Sequence, residues 1–162
     1  MAETKYIVFG LNEQKYSMKL TRINGIECVY QIVPVPLGAA CIKGIIHLRN
    51  SVIPVFSLKQ LFGMEETAQA GTQLLISETH GIKLALEVDS VLGIVPVPDE
   101  DVRNVPLVVH TDETGYLENV IKLTLPESDK EEIIISISID NLMSEGEFGQ
   151  ISDALEKEMN GK

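Results

Sequence analysis

Ile42-Lys43-Gly44-Ile45-Ile46-His47-Leu48-Arg49-Asn50-Ser51-Val52-Ile53-Pro54-Val55-Phe56-Ser57-Leu58 sets one Arg between two apolar runs of the kind that make buried strands. A guanidinium costs too much to bury unpaired. In a strand-turn-strand segment Arg49 is therefore either satisfied by a carboxylate or carbonyls, or offered to a partner. Both readings lead away from catalysis and toward a recognition surface.

The same strand grammar extends on either side. Lys5 to Leu11 is an apolar run, Asn12-Glu13-Gln14 is turn material, and Lys15 to Thr21 alternates Tyr16, Met18 and Leu20 with polar residues, which predicts a β-hairpin. A second hairpin is predicted from Thr72–Thr79, His80-Gly81 and Ile82–Asp89. There Ile82, Leu84, Leu86 and Val88 alternate with Lys83, Ala85, Glu87 and Asp89, so it reads as half buried and half wet. Near the end, Ile133, Ile135, Ile137 and Ile139 share one face, with Ser136 and Ser138 on the other. Short helices are expected at Leu58–Phe62, before Gly63, and around Asp140–Met143. A longer one is expected near Gln150–Met159, where Phe148, Ile151, Leu155 and Met159 recur at helical spacing, as in a face docked on its own barrel.

Many short strands, 5% aromatics and no long helical crossover point to an all-β chain of small closed barrels or a sandwich, not a doubly wound α/β fold. Residues 64–71, small and polar, read as a linker between two sub-barrels. Across it, Pro54–Leu61 and Ile135–Leu142 rhyme in type, each running a strand into a short helical turn.

A chain of 162 residues suits one compact unit. Its longest uncharged apolar run, Ile32–Ile42, contains two prolines and is far shorter than a membrane span, and the Met-Ala-Glu-Thr-Lys start lacks the apolar core of a signal peptide. A cytoplasmic location without membrane insertion is expected. Thirteen basic against 24 acidic residues give a formal charge of −11, which argues against nucleic acid and anionic lipid as partners. The acidic clusters at Asp99–Asp101, Glu127–Glu132 and from Glu145 onward read as solvated loops and tail.

The search for chemistry returns little. His47, His80 and His110 are isolated along the chain, so no metal site is expected, and phosphate-loop, dinucleotide and nucleophile-elbow motifs are missing, so no cofactor is expected. Cys28 and Cys41 sit in apolar surroundings and read as small buried thiols. Glu87 and Asp89 read as a partly exposed, solvated strand edge without general-acid work.

Taken together, these segments resemble the CheW family, the coupling proteins of bacterial chemotaxis, over nearly the whole chain. Ile42, Lys43, Gly44, Leu48, Arg49, Pro54, Val55 and Leu58 match its Ile-Lys-Gly-Val-x-Asn-Leu-Arg-Gly-x-x-x-Pro-Val-x-x-Leu pattern. Ile23-Asn24-Gly25-Ile26, then Ile32-Val33-Pro34-Val35-Pro36, resemble its Val-x-Glu-Ile and Ile-x-x-Val-Pro. Val88-Asp89-Ser90-Val91 resembles its Val-Asp-x-Val, and Pro106 stands where a proline is frequent. The departures are Gly25 in place of Glu, His47 for Asn, Asn50 for Gly, and Ala39 and Cys41 for Pro and an aromatic. Asn50 tolerates positive φ and keeps the turn geometry open to it. The missing Glu at position 25 bears on partner choice or affinity.

The resemblance implies two small SH3-like five-stranded barrels packed through a shared core over residues 3–145, dividing near 64–71, with an acidic, amphipathic helical tail at 146–162. It implies a non-catalytic adaptor, recruited to receptor clusters, that couples the regulatory domain of the histidine kinase CheA to the cytoplasmic hairpin tip of methyl-accepting receptors. By position, Ile23, Arg49, Val91 and Ile94 would face the receptor in a groove between the barrels, and Ile32, Lys43 and Gly44 the kinase. By residue type alone, Ile23, Ile32, Val91 and Ile94 also suit a core, Gly44 a strand bend, and Arg49 an internal ion pair with Asp89 or Glu87. Two other functions stay open: the same scaffold in a different kinase pathway, such as one for surface motility, and a small cysteine-dependent enzyme or ligand-binding barrel.

Overall fold

The computed structural model describes residues 2–28, 31–34, 42–65, 72–104, 116–125 and 130–142. Eleven strands occur among the described residues. They are β1 (Glu3–Leu11), β2 (Gln14–Lys19), β3 (Ile23–Glu27), β4 (Ile42–Leu48), β5 (Ser51–Ser57), β6 (Gln73–Thr79), β7 (Ile82–Val88), β8 (Ser90–Pro98), β9 (Val102–Asn104), β10 (Leu117–Thr124) and β11 (Glu131–Ile137). The one α-helix among these residues, α1 (Leu58–Leu61), starts where the Ser57 hydroxyl accepts the Gln60 N–H and ends before Gly63 at φ +74°, as expected from the sequence. The turn expected around Asp140 is a 3-10 turn at Ile139–Asn141. The helix expected over Gln150–Met159 lies outside the described residues.

Two sheets form, in the orders β8-β1-β2-β11-β10-β9 and β3-β6-β7-β5-β4. In the first, β8 and β9 stand at opposite edges, yet only the 3-10 turn Asp99–Asp101 separates them in the chain. That connection spans at most about 14 Å, while a flat six-stranded sheet is about 24 Å wide. The sheet is therefore rolled, and β8 approaches β10 across the seam. In the second sheet, Val33 bridges Ile45 on the outer edge of β4 through N···O contacts of 2.8 and 2.9 Å. The two SH3-like units expected from the sequence are present, one with an extra short strand, β9.

The boundary between them differs from the expectation. β5 and β6, which flank residues 64–71 in the chain, lie in the same sheet of the second barrel, so the divide does not fall between them. The chain crosses to the second barrel at Leu20–Arg22 and returns at Asp89, because β2 pairs in parallel with β11 from the far end of the chain. The rhyme between the halves is real in three dimensions. β5 pairs in parallel with β7 and runs into α1, as β11 pairs in parallel with β2 and runs into the last 3-10 turn.

Three apolar clusters follow from strand alternation. Tyr6, Val8, Val95, Val97, Ile121 and Leu123 fill the first barrel; Ile46, Ile53, Val55, Leu74, Ile76 and Ala85 fill the second. The largest cluster lies between them, where Ile7, Phe9, Met18 and Ile137 meet Phe56, Leu75, Leu84 and Leu86. Rings of Phe9, Tyr16, Phe62 and Tyr116 run along it with centroid spacings of 6.4, 5.3 and 4.6 Å. Strands facing both a barrel interior and this shared core are buried on both sides, which corrects the half-wet readings: Ala85, Glu87, Asp89 and Ser136 are all buried.

Candidate protein-docking surfaces

Three hairpins close through two-residue turns with positive φ at both positions: Asn12-Glu13, Arg49-Asn50 and His80-Gly81. That geometry matches strand twist and favours Asn, Asp and Gly. Arg49 at φ 50° is held against this preference, at a cost of about 1 kcal/mol. Its side chain is exposed and makes no hydrogen bond or ion pair with any described residue.

The internal partners considered for Arg49 are occupied. Glu87 takes Lys43 Nζ at 2.7 Å, and Asp89 takes Lys59 Nζ at 2.8 Å. Asp89 also accepts the Asn12 N–H at 2.7 Å and donates its own N–H to the Gly10 carbonyl, so it stitches the first hairpin to α1 across the shared core. These two carboxylates are therefore buried structural groups, not the solvated edge expected from the sequence.

Arg49 stands at the mouth of the second barrel, over a cavity of about 120 Å³. Leu48, Ile53 and Ile76 give it an apolar surface, and Gly25, Glu27 and Lys83 line it with Arg49. A Cβ at Gly25 would meet nothing within 4 Å.

The apolar candidates lie elsewhere. Ile23 and Val91 are half buried against the shared core. Ile94 is 51% exposed and stands opposite Ile7, itself in that core; directly opposed residues share a face. Ile26, 37% exposed opposite Leu75, joins this rim, and the sequence reading missed it although it lies in the same matched tetrapeptide. The edge strands β3 and β8 thus flank the shared core. Gln73 ties β6 to β8 by accepting the Val91 N–H at 2.8 Å. β3 connects rim and mouth, since Ile23 and Ile26 face the core while Gly25 pairs with Ile76 of the barrel interior.

Ile32, Lys43 and Gly44 come together at the outer edge of β4. Lys43 lies at a bulge between Ile42 and Gly44 and reaches Glu87. Gly44 is buried because the Ile32–Val33 segment crosses directly above it; a Cβ there would collide with the Val33 carbonyl and stand 2.8 Å from Ile32 Cγ2. The surface at this edge is presented by Ile32, partly buried on the second barrel's core, and Val33, 41% exposed.

A polar clasp that no sequence motif announced joins the barrels beside β3. Arg22 donates to both oxygens of Asp140 at 3.1 and 2.7 Å and to the Glu78 carbonyl, and the Thr79 hydroxyl also bonds Asp140. The Thr79 and Arg22 hydrogen bonds hold the Asp140 carboxyl below its ordinary pKa. His80 Nε2 lies 2.9 Å from the Asp140 carbonyl.

Cys28 is exposed, with Gln73 Nε2 3.4 Å from its sulfur, which corrects the buried-thiol reading for that residue; Cys41 and His110 lie outside the described residues. No three His, Cys, Asp or Glu side chains converge as metal ligands among the described residues, and no described helix is long and apolar enough to cross a membrane.

The CheW-like domain profile matches residues 5–147. The chain is 27% identical to Chemotaxis protein CheW of Treponema pallidum over 121 residues, covering 72% of this chain and 71% of that protein. It is 27% identical to the Bacillus subtilis protein of the same name over 119 residues, covering 73% and 76%. Its structure is similar to the crystal structure of scaffolding protein TtCheW from Thermoanaerobacter tengcongensis, with a TM-score of 0.76 and 29% identity over 87% of this chain and 92% of that one.

Proposed function

The chain belongs to the CheW-like domain family, and on that premise we propose that it is a non-catalytic adaptor of chemotaxis signalling. It links the cytoplasmic hairpin tip of methyl-accepting receptors to the regulatory domain of the histidine kinase CheA, and works in the cytoplasm at receptor clusters. The relatives' names, chemotaxis protein and scaffolding protein, support this class of function.

In this reading the receptor lies along the rim of Ile23, Val91 and Ile94, with Arg49 engaging it from the barrel mouth. The kinase domain meets the β4 edge at Ile32, Lys43 and Gly44. The observation that carries the reading is Arg49 itself, a cation kept in an unfavourable backbone conformation and left without a partner among the described residues. Backbone strain retained with no structural return is characteristic of functional positions, and Arg is a favoured interface anchor.

The test is a titration of wild type and Arg49→Glu against the same organism's receptor hairpin fragment and CheA regulatory domain, with circular dichroism on both proteins. Arg49→Glu is expected to lose at least about tenfold in receptor affinity, roughly 1.4 kcal/mol, with kinase binding unchanged. Undiminished receptor binding removes Arg49 from the interface. A wild type that binds neither partner refutes the chemotaxis assignment and favours service in another kinase pathway.

A further inference from the structure

We propose that the mouth of the second barrel is a socket for a single carboxylate side chain of the receptor, with Lys83 as its second cation and Gly25 as its opening. The proposal rests on the adaptor reading and specifies the chemistry that the mouth accepts.

The chain carries 24 acidic and 13 basic residues, so cations readily find internal partners. Lys15, Lys19, Arg22, Lys43, Lys59 and Lys122 each stand within 4.0 Å of a carboxylate oxygen. Lys5, Arg49, Lys83 and Arg103 have no such partner among the described residues, and of these Arg49 and Lys83 line the same cavity. They come from separate hairpins: Arg49 from the β4–β5 turn, Lys83 from β7. The fold has brought two cations to one opening and left them open.

The ligand's charge and shape follow. Glu27 is the one acidic residue lining the cavity among the described residues, against two cations, and Glu78 beside Lys83 offsets part of the second charge, so the mouth suits a monoanion better than a phosphate dianion. Glu78, directly opposite Lys83 in the β6–β7 ladder, opposes entry of a second negative group. Leu48, Ile53 and Ile76 offer an apolar surface to the methylene stem of a Glu side chain, and reduced hydration there strengthens the charge-assisted hydrogen bonds of its head. The cavity of about 120 Å³ exceeds several-fold the ~10–15 Å³ that one water requires. The open space at Gly25 keeps the approach clear; the Glu of the family pattern would place the chain's own carboxylate beside these cations, so the socket belongs to the Gly25 departure and to a receptor that supplies the carboxylate itself.

The experiment titrates the receptor hairpin fragment and the CheA regulatory domain against wild type, Arg49→Glu, Lys83→Glu, Lys83→Arg and Gly25→Glu, with thermal melts on every variant. Lys83→Glu and Gly25→Glu are each expected to weaken receptor binding about tenfold. Lys83→Arg should stay within about twofold of wild type, and all should keep kinase-domain affinity. Wild-type receptor affinity in both Lys83→Glu and Gly25→Glu, alongside loss in Arg49→Glu, overturns the socket and leaves the adaptor standing. Loss at the kinase domain with receptor binding retained also overturns it. A wild type that binds no receptor fragment overturns the adaptor reading and the socket together.

Discussion

Two charged neighbourhoods of the second barrel use the same residue types and end in opposite states. Against the shared core, Lys59 and Asp89 are 4% and 8% exposed and close on each other at 2.8 Å. At the mouth, Arg49 and Lys83 are exposed and remain open among the described residues. An unpaired charge at the first site would cost several kcal/mol because water cannot reach it, so the fold pairs it. At the second, hydration lets a cation stand alone cheaply, and it stays available to another chain. Solvent access decides whether the fold must pair a charge internally or can leave it open.

Asp89→Ala should break the comparison most severely. It removes the carboxylate that pairs with the buried Lys59 ammonium and accepts the Asn12 N–H, with an expected loss of about 3–5 kcal/mol in urea denaturation. A loss under about 1 kcal/mol would show that the pair is solvated and that the two neighbourhoods do not differ. Gly44→Ala tests the third region, the β4 edge. It should destabilise by about 1–3 kcal/mol by driving the Ile32–Val33 segment off β4, and weaken kinase-domain binding if that edge is the kinase face.

Arg49→Asn sharpens the contrast by separating stability from binding. Asn accepts the positive φ of this turn, so folding should gain up to about 1 kcal/mol while receptor affinity falls. A variant that is no more stable would mean that the turn imposes no strain.

The smallest effect is expected at the clasp, where Asp140 is half exposed and its pairing is screened. Its folded-state pKa lies below the ordinary value of 3.8, so its contribution is present above that value and is lost as pH falls from there through the lower folded-state pKa. Melting temperatures of wild type and Asp140→Asn should therefore converge between roughly pH 5 and 2. A gap that persists there would assign the clasp to something other than the ionised carboxylate.

The hairpins were legible because alternation and turn chemistry are local. Asn12-Glu13 and His80-Gly81 announce reversals, and Ser57 and Gly63 bracket a helix within seven residues. The site was only partly legible. Arg49 stands out as a charge among apolar residues, but Lys83 reads as an ordinary wet-face lysine. Nothing local reveals that it borders the cavity reached by Arg49 from another hairpin. Ile26 was missed for the same reason, since its exposure depends on β3 being an edge strand.

By itself the sequence determined the strands of the three hairpins and β11 and the all-β class, because the period-2 placement of residues such as Ile82, Leu84, Leu86 and Val88 has one low-energy reading. Tertiary structure decided what lay behind the other face. Only the packing of two barrels turned Glu87 and Asp89 from wet-face carboxylates into buried, paired ones. Only the parallel pairing of β2 with β11 placed the second barrel inside the span of the first, so that the divide falls at Leu20–Arg22 and Asp89 and not at 64–71. The β2–β11 pairing rests on contacts between residues more than a hundred positions apart, such as Ser17 and Ser136, and no local preference encodes a pairing at that range.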